Sequence, residues 1–448
     1  MKIAIVGAGC SGLFAAYKLI DNSSLEIDIY EKGNPVDKRS RKEVLSGFGG
    51  AGAFSDGKLT LTTAFGGWLS EYISEDDLEK LIDEVDKIWR KLSSVETLDN
   101  KWDYEKVKDL EYLCSRYKLR LYPSKIRHLG TDNALKAIKN LENIILSRKN
   151  VRLFCNKELV DLIIDDEKIL GIVTNDNKKI YYDKVILAVG RSGNYKMQEL
   201  AEKYNISRDI NPVDIGVRVE LPRSITDYFT DVLYEFKIKY FTTYFEDEVR
   251  SFCVNPGGYV ALERNDGSIL TVNGHCFKNK KSDNTNFALL VSTKFTDPFR
   301  EPVKYGMYIS NLANMLSGGT VILQRFGDFI KGRRSTEKRI SKNYVLPTLK
   351  EAMPGDLSFV IPYRYLEDIK ETIYQLDKVM PGLADPSTLL YGIEAKFYSM
   401  RIHVDKSMRS VDIDNLYCVG DGAGLTRGIV QACSSGIIAA QDILNSAL

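Results

Sequence analysis

Histidine is scarce in this 448-residue chain, with three in all, and paired cysteines are missing. His128, His275 and His403 are too few and too scattered for a histidine-rich metal centre, so no metal site is expected. The seven cysteines (10, 114, 155, 253, 276, 418 and 433) contain no CxxC and no even ladder of spacings. They read as reduced thiols rather than a disulfide framework. No apolar run approaches the roughly 18 residues that a membrane span needs. Charge of one sign is not in excess either: 62 Lys and Arg face 61 Asp and Glu, a formal net charge of +1. That balance supplies no global field, so neither nucleic acid nor a membrane is expected as a partner. The short basic runs at 38–42, 278–281 and 331–334 read as solvated faces. The opening Met1-Lys2-Ile3 enters an apolar strand at once, with no charged and apolar leader ahead of it, and the expected location is cytoplasmic. Internal repeats and low-complexity stretches are missing too.

What is present is ordinary in bulk and specific in detail. Hydrophobic residues at 44% and charged residues at 27% fit a soluble globular protein, and the length fits two domains. Residues 2–6 (KIAIV) predict a buried strand, residues 12–20 a helix and residues 26–30 (EIDIY) a second strand. Between the first strand and the helix lies Gly7-Ala-Gly-Cys-Ser-Gly12, a GxGxxG turn. Gly7 permits the tight turn, Gly9 lets backbone approach a pyrophosphate, and Gly12 lets helix and strand pack closely. The helix N-terminus, at Cys10 and Ser11, offers unpaired N–H donors to that anion. Glu31 ends the second strand, 31 − 12 = 19 residues past the last glycine. A carboxylate there accepts from a ribose 2′-OH and repels a 2′-phosphate, so the dinucleotide is FAD or NAD and not NADP.

Further along, 46–67 reads as a glycine-rich loop and 71–121 as helical. A helix is predicted at 131–146 and strands at 151–155, 158–164, 168–174 and 184–189. The stretch 211–384 reads as a largely antiparallel sheet with helices. A hairpin-like piece is expected at 402–411, a strand at 416–419 and a closing helix at 428–448.

Residues 416–440, LYCVGDGAGLTRGIVQACSSGIIAA, bring a buried strand to Gly420-Asp421-Gly422 and then a helix of small residues near Gly428. This resembles the second FAD signature of the glutathione-reductase-like flavoproteins, where the aspartate holds the ribitol chain and the helix start, here Gly428-Ile429, faces the isoalloxazine. That ring edge becomes anionic on reduction, and a helix N-terminus stabilises such charge by about 0.3–1 kcal/mol. The strand VILAVG, with Ala188, Val189 and Gly190 at its end, is similar to another segment of these proteins. So is Glu158-Leu159-Val160-Asp161, with Leu159 as the implied adenine contact. The resemblance implies FAD as cofactor.

A narrower likeness is carried by GFGGAGAFSDGKLT (47–60), SKIRHLGTD (124–132), AVGRSG (188–193), DIGVRVE (214–220), VNGHCF (272–277) and GIEAKFYSMRI (392–402). Together these resemble a largely uncharacterised bacterial family of FAD-dependent dehydrogenases. The chain departs from it at Leu425-Thr426-Arg427-Gly428, where many members have a tyrosine and small residues. The glycines of the 47–60 loop permit close approach to a flat ring or a phosphate. Gly50, Ala51, Ser55, Asp56 and Lys58 are its candidate cofactor contacts. Lys32 follows Glu31, and Arg39 or Arg41, with Arg39 favoured, is a candidate phosphate donor.

The fold class expected is α/β: a Rossmann-like FAD domain assembled from 1–66, 122–210 and 385–448, and an α+β substrate domain over 211–384 with a mainly antiparallel sheet. A helical insert is expected at 67–121. The expected activity is hydride transfer between flavin N5 and a small organic substrate. Alternatives are a flavin monooxygenase, a flavin-dependent RNA-modifying or RNA-binding protein, and a flavin-stabilised scaffold without turnover. Glu394, Arg401, His128 and His275 are the candidate catalytic residues; the alternative for Glu394 and Arg401 is a structural ion pair, and for the two histidines a hydrogen-bonded structural role, which is the commoner one. Arg427 is read as a clamp for an anionic substrate or as a contact to FAD phosphate. No second GxGxxG and no CxxxxC occur. The electron partner is therefore the substrate itself, a transiently bound NAD(P)H or an external protein.

Overall fold

The computed structural model describes residues 1–39, 45–55, 57–98, 102–265, 269–277 and 280–446. The chain divides into two compact units, one of 1–99, 125–211 and 398–448 and one of 100–124 and 212–397.

The first unit is built on a five-stranded parallel sheet in the order Leu416–Cys418, Lys184–Leu187, Lys2–Val6, Glu26–Glu31, Val151–Cys155. Its strands are almost continuously apolar because helices cover parallel sheets on both faces. In Lys2–Val6 every residue after Lys2 is buried. Asp28 and Glu31 are the sheet's buried carboxylates, and the neighbours of Asp28 satisfy it. Arg152 on the adjacent strand donates Nε and Nη2 to its two oxygens at 2.7 and 2.9 Å, and the Tyr182 hydroxyl donates at 2.6 Å.

Helices Cys10–Leu19 and Ile429–Asn445 pack closely, since a side chain on Gly436 would run into the Ser11 carbonyl oxygen. Gly436, within the run of small residues near the end of the sequence, is thus a packing requirement. Helix Glu75–Ser93 starts at Ser74, whose hydroxyl accepts from the Asp77 N–H at 3.2 Å, with Glu75, Asp76 and Asp77 in its first turn. Acidic residues there suit the helix dipole. Leu78, Ile82, Val85, Trp89 and Leu92 recur at three-to-four spacing and form its buried stripe. Helix Thr131–Leu146 and the antiparallel strands Leu159–Asp165, Lys168–Thr174 and Lys179–Tyr181 also belong to this unit. The 46–67 stretch is more ordered than a loop. It holds a short 3-10 turn, Gly50–Ala53, and a strand, Lys58–Leu61, paired with Lys125–His128. Residues 67–121, expected as one insert, are divided: Glu75–Ser93 lies in the first unit and Tyr104–Arg116 in the second. The hairpin-like piece expected over 402–411 is present: an antiparallel bridge joins Val404 to Ser410, and the Asp405 N–H donates to the Arg409 carbonyl at 2.9 Å, while Arg401–Ile402 pairs with Arg208–Asp209.

The second unit carries an eight-stranded sheet. Its order is Met353–Pro354, Ile322–Arg325, Leu389–Lys396, Val213–Pro222, Asn284–Thr293, Glu248–Pro256, Ile238–Phe241, Arg120–Leu121. All its pairings are antiparallel except that of the first two strands. Val213, Ile215, Val217, Val219 and Leu221 face its hydrophobic core, while Asp214, Arg218 and Glu220 alternate with them.

Helix Tyr363–Asp377 places Asp368 in a buried setting, where its Oδ1 accepts from the Thr242 hydroxyl at 2.7 Å. Burial pushes this carboxyl up to about 7. The Asp247 carboxylate adds to the rise, and Thr242 and Arg364 oppose it. The folded chain therefore holds this proton more firmly than the unfolded chain does. Stability from this site is full below the ordinary value of 3.8 and is lost as pH rises towards about 7. Asp368→Asn is expected to flatten the fall in thermal midpoint across that window and to raise the midpoint at pH 8. Thermal melts of both proteins from pH 4 to 8 check this; parallel curves would refute it.

Candidate functional site

A groove of about 430 Å³ opens along the sheet of the first unit. The turn after strand Lys2–Val6 supplies Gly7, Gly9, Cys10 and Ser11 to its wall, and strand Glu26–Glu31 ends there with Glu31 and Lys32. Gly50, Ala51 and Ser55 come from the glycine loop, Leu159 from its strand, and Ala188, Val189 and Gly190 from the end of strand Lys184–Leu187. Asp421, Gly428 and Ile429 complete it from the far end of the chain.

The glycines do different work. A side chain on Gly7 would strike the Ala188 carbonyl, and one on Gly12 the Gly7 carbonyl. Those two glycines serve packing within the unit, and Gly12 does not border the groove. A side chain on Gly9, Gly190 or Gly428 would meet no atom of the described residues within 4 Å and would project into open space. These three border the groove, so their lack of a side chain serves whatever fills it. Helices Cys10–Leu19 and Ile429–Asn445 both start at such a glycine, without a side-chain cap and without an acidic residue in the first turn. Their unpaired N–H groups and positive dipole ends are left for a ligand. One suits a pyrophosphate, the other an electron-rich ring edge.

Glu31 does more than sequence reasoning assigned to it. Its Oε2 accepts from the Ala8 N–H at 3.0 Å, and its Oε1 from the Gly33 and Gly47 N–H groups at 2.9 and 2.8 Å. A carboxylate has about four acceptor sites. Three tie loops together here, which leaves one for a ribose hydroxyl. At the other end Asp421 accepts from the Thr426 hydroxyl at 2.7 Å, and Arg191 Nε lies 3.9 Å from it. Burial pushes the Asp421 carboxyl up, against Arg191, Thr426 and Arg427. This donor set fits FAD: an acid at the ribose end, a helix start at the phosphates, and an acid beside a second helix start where the ribityl chain and ring would lie.

Several expected contacts are placed elsewhere. Arg39 is buried and does not border the groove; its Nη1 donates to the Phe48 and Gly50 carbonyls at 2.7 and 2.9 Å, and it covers the Phe54 ring at 4.6 Å. It shapes the glycine loop. Gly420 packs against Ser11, whose Oγ would lie 2.5 Å from an added side chain. Lys58 and half-buried His128 face each other across their two strands, away from the groove lining. Arg41 and Asp56 lie outside the described residues. Arg427 also stays off the groove wall, with its guanidinium 3.6 Å over the Tyr398 ring. Arg401 pairs with Glu71 at 2.5 Å.

Glu394 and His275 belong to the second unit. His275 is exposed at the end of a hairpin strand. Glu394 is fully buried: Arg218 donates Nε and Nη2 to its two oxygens at 2.7 and 2.8 Å, and Lys396 lies 3.2 Å away. Burial alone would raise its pKa, but Arg218 and Lys396 hold it below the ordinary value. It forms a buried ion pair with Arg218. Sequence reasoning missed Tyr30, Leu45, Lys157, Arg191, Tyr195 and Lys196 on the groove wall. Only Arg191 carried a signal, its place directly after Gly190.

Residues 212–397 match the family described as "FAD-dependent protein, C-terminal domain-like", and the match coincides with the long segment of the second unit. A Clostridium beijerinckii protein named "Uncharacterized protein" is 29% identical over 476 aligned residues, covering 98% of this chain and 80% of its own. Among solved structures, L-proline dehydrogenase from P. horikoshii is similar at 11% identity and a TM-score of 0.40, covering 99% of this chain and 93% of its own. Pyridoxine 4-oxidase from Mesorbium loti is similar at 12% identity and a TM-score of 0.44, with 99% of each chain covered. Likenesses of this size carry nothing about substrate.

Glu31→Gln replaces one acceptor oxygen with an N–H donor, so at least one of the three backbone N–H groups loses its partner. A buried donor left unmade costs about 1–3 kcal/mol. The variant is expected to melt at lower temperature and to bind FAD more weakly, as thermal melts with and without added FAD would record. Equal melting and equal binding would contradict this account of the carboxylate.

Proposed function

We propose that this chain is an FAD-dependent oxidoreductase that moves a hydride between flavin N5 and a small organic substrate. One observation carries the reading. Two motifs 390 residues apart, at Gly7–Glu31 and Asp421–Ile429, border a single groove and present the chemistry of the two ends of FAD. The family matched by residues 212–397 bears FAD dependence in its description and supports the same reading.

Bound FAD supplies a two-electron carrier, so the protein's own task is to place groups. Glu31 turns its remaining acceptor site to a ribose hydroxyl. The N–H groups at the start of Cys10–Leu19 receive the pyrophosphate, and Leu159 borders the adenine. Asp421 accepts from the ribityl hydroxyls. The start of Ile429–Asn445 stabilises negative charge at the ring edge by about 0.3–1 kcal/mol. The electron partner is a small substrate, a transiently bound NAD(P)H or an external protein. A monooxygenase would instead need oxygen in the cycle, which rapid mixing of the reduced protein with oxygen would reveal.

The purified protein should be yellow, with FAD released on denaturation. Asp421→Ala should weaken FAD by about tenfold to a hundredfold, the effect of one hydrogen bond to a charged group. A colourless protein that stays unflavinated after refolding with FAD would sink the proposal.

A further inference from the structure

Beside the flavin end of the groove, residues 66–68 lie against residues 425–427. The Arg427 N–H donates to the Gly66 carbonyl at 2.8 Å and the Trp68 N–H to the Leu425 carbonyl at 2.9 Å. That strand-like contact runs directly into Gly428 and Ile429 on the groove wall. It presents two guanidinium groups on two aromatic rings. Arg401 covers Trp68 at 4.6 Å, Trp68 meets Tyr398 edge-on at 5.8 Å, and Arg427 covers Tyr398 at 3.6 Å.

A guanidinium pinned on a ring has lost most of its rotamer freedom, and its fork stays directed. The natural partner of such a fork is a carboxylate. One is already there: Glu71 Oε2 lies 2.5 Å from Arg401 Nη1. Its side chain is 53% exposed, whereas that of Arg401 is 15% exposed. An ion pair half open to water is a weak tie and readily exchanged. The neighbourhood also holds unused polar capacity, because Arg401 Nε and Gln431 Oε1 are buried with no hydrogen-bond partner among the described residues. Gln431, 3% exposed, sits in the first turn of the helix that starts at the groove.

We propose that the substrate is a small carboxylic acid, bound as its carboxylate by Arg401 in the place Glu71 now takes, with Arg427 as the second cation of the subsite. This rests on the flavin reading above and names the substrate class of the same site. Arg401 and Arg427 are binding residues here, and Glu71 is a competitor for the first of them.

The probes are acetate and benzoate, with acetamide and benzamide as neutral isosteres, titrated into the flavin-loaded protein. Binding is followed by calorimetry and by the visible spectrum of the flavin. The acids should bind saturably and the amides should not. Arg401→Gln and Arg427→Gln should weaken the acids by about tenfold or more, with flavin content retained. Glu71→Gln should tighten them, because it removes the internal competitor. A merely structural Arg401–Glu71 bridge would leave acid binding unmoved in Glu71→Gln. Equal binding of acids and amides, or an unchanged affinity in a folded Arg401→Gln, would overturn the proposal. If Arg401→Gln does not fold, Glu71→Gln alone decides, since it leaves the guanidinium in place. Calorimetry needs no colour, so a protein without flavin would defeat the earlier reading while the acid titration still tested this one.

Discussion

The Glu31 carboxylate is the point on which the dinucleotide groove depends. It accepts N–H groups from Ala8 after the first strand, Gly33 after the second and Gly47 at the mouth of the glycine loop. Three chain segments that share no sequence pattern are thereby fixed within reach of one another. The loop then closes on this frame by backbone bonds, from Gly49 to the Ala8 carbonyl at 2.7 Å and from Phe48 to the Asn34 carbonyl at 3.0 Å. Arg39 finishes the job from behind by donating to the Phe48 and Gly50 carbonyls. A buried carboxylate is costly unless hydrogen-bonded. Here the need for donors and the need to gather loops are met by the same bonds.

Two of the helix starts that lack a side-chain cap open on this groove. A helix N-terminus normally recruits Ser, Thr, Asp or Asn to satisfy its free N–H groups. The chain does so at Ser74, Asp103 and Thr336. At Gly9 and Gly428 it does not, and in both places the missing side chain would have pointed into the groove. Stability forgone at these ends is recovered when a ligand supplies the acceptor, which couples ligand occupancy to folding.

Much of the first unit was legible because its signals are local. Apolar runs of four or five residues bounded by glycine mark parallel strands, and the helix at 131–146 and the strands at 151–155 and 168–174 fall where periodicity puts them. The GxGxxG turn with Glu31, and Asp421 ahead of a small-residue helix, identify the groove from both ends. Less legible was anything decided by partners distant in sequence. Arg39 looks like a phosphate donor when read beside the adenosine strand, but its acceptors are carbonyls in a loop whose shape sequence does not reveal. Tyr195, Leu45 and Lys157 border the groove only because their segments come to its wall, and no residue-type pattern marks them.

Glu394 shows the same limit most clearly, and it also shows what could have corrected it. A carboxylate in an apolar strand is equally the signature of a catalytic acid and of a buried ion pair. The discriminating information lies in another strand: Asp214, Arg218 and Glu220 interrupt Val213 to Leu221 at every second position except Gly216. Charges at period two on a strand otherwise made of core residues mean that one sheet face is polar while the other is apolar. A neighbouring strand must then answer with opposite charge, and Leu389–Lys396 does so with Glu394, which lies opposite Gly216 and pairs diagonally with Arg218. Buried pairs of this kind contribute little net stability, yet losing one partner costs about 3–5 kcal/mol. Selection can therefore hold Arg218 and Glu394 in place without any chemistry passing through them. The groups that remain free to meet a ligand are those whose partners are weak or exposed, and Arg401 with its half-solvated Glu71 is one of these.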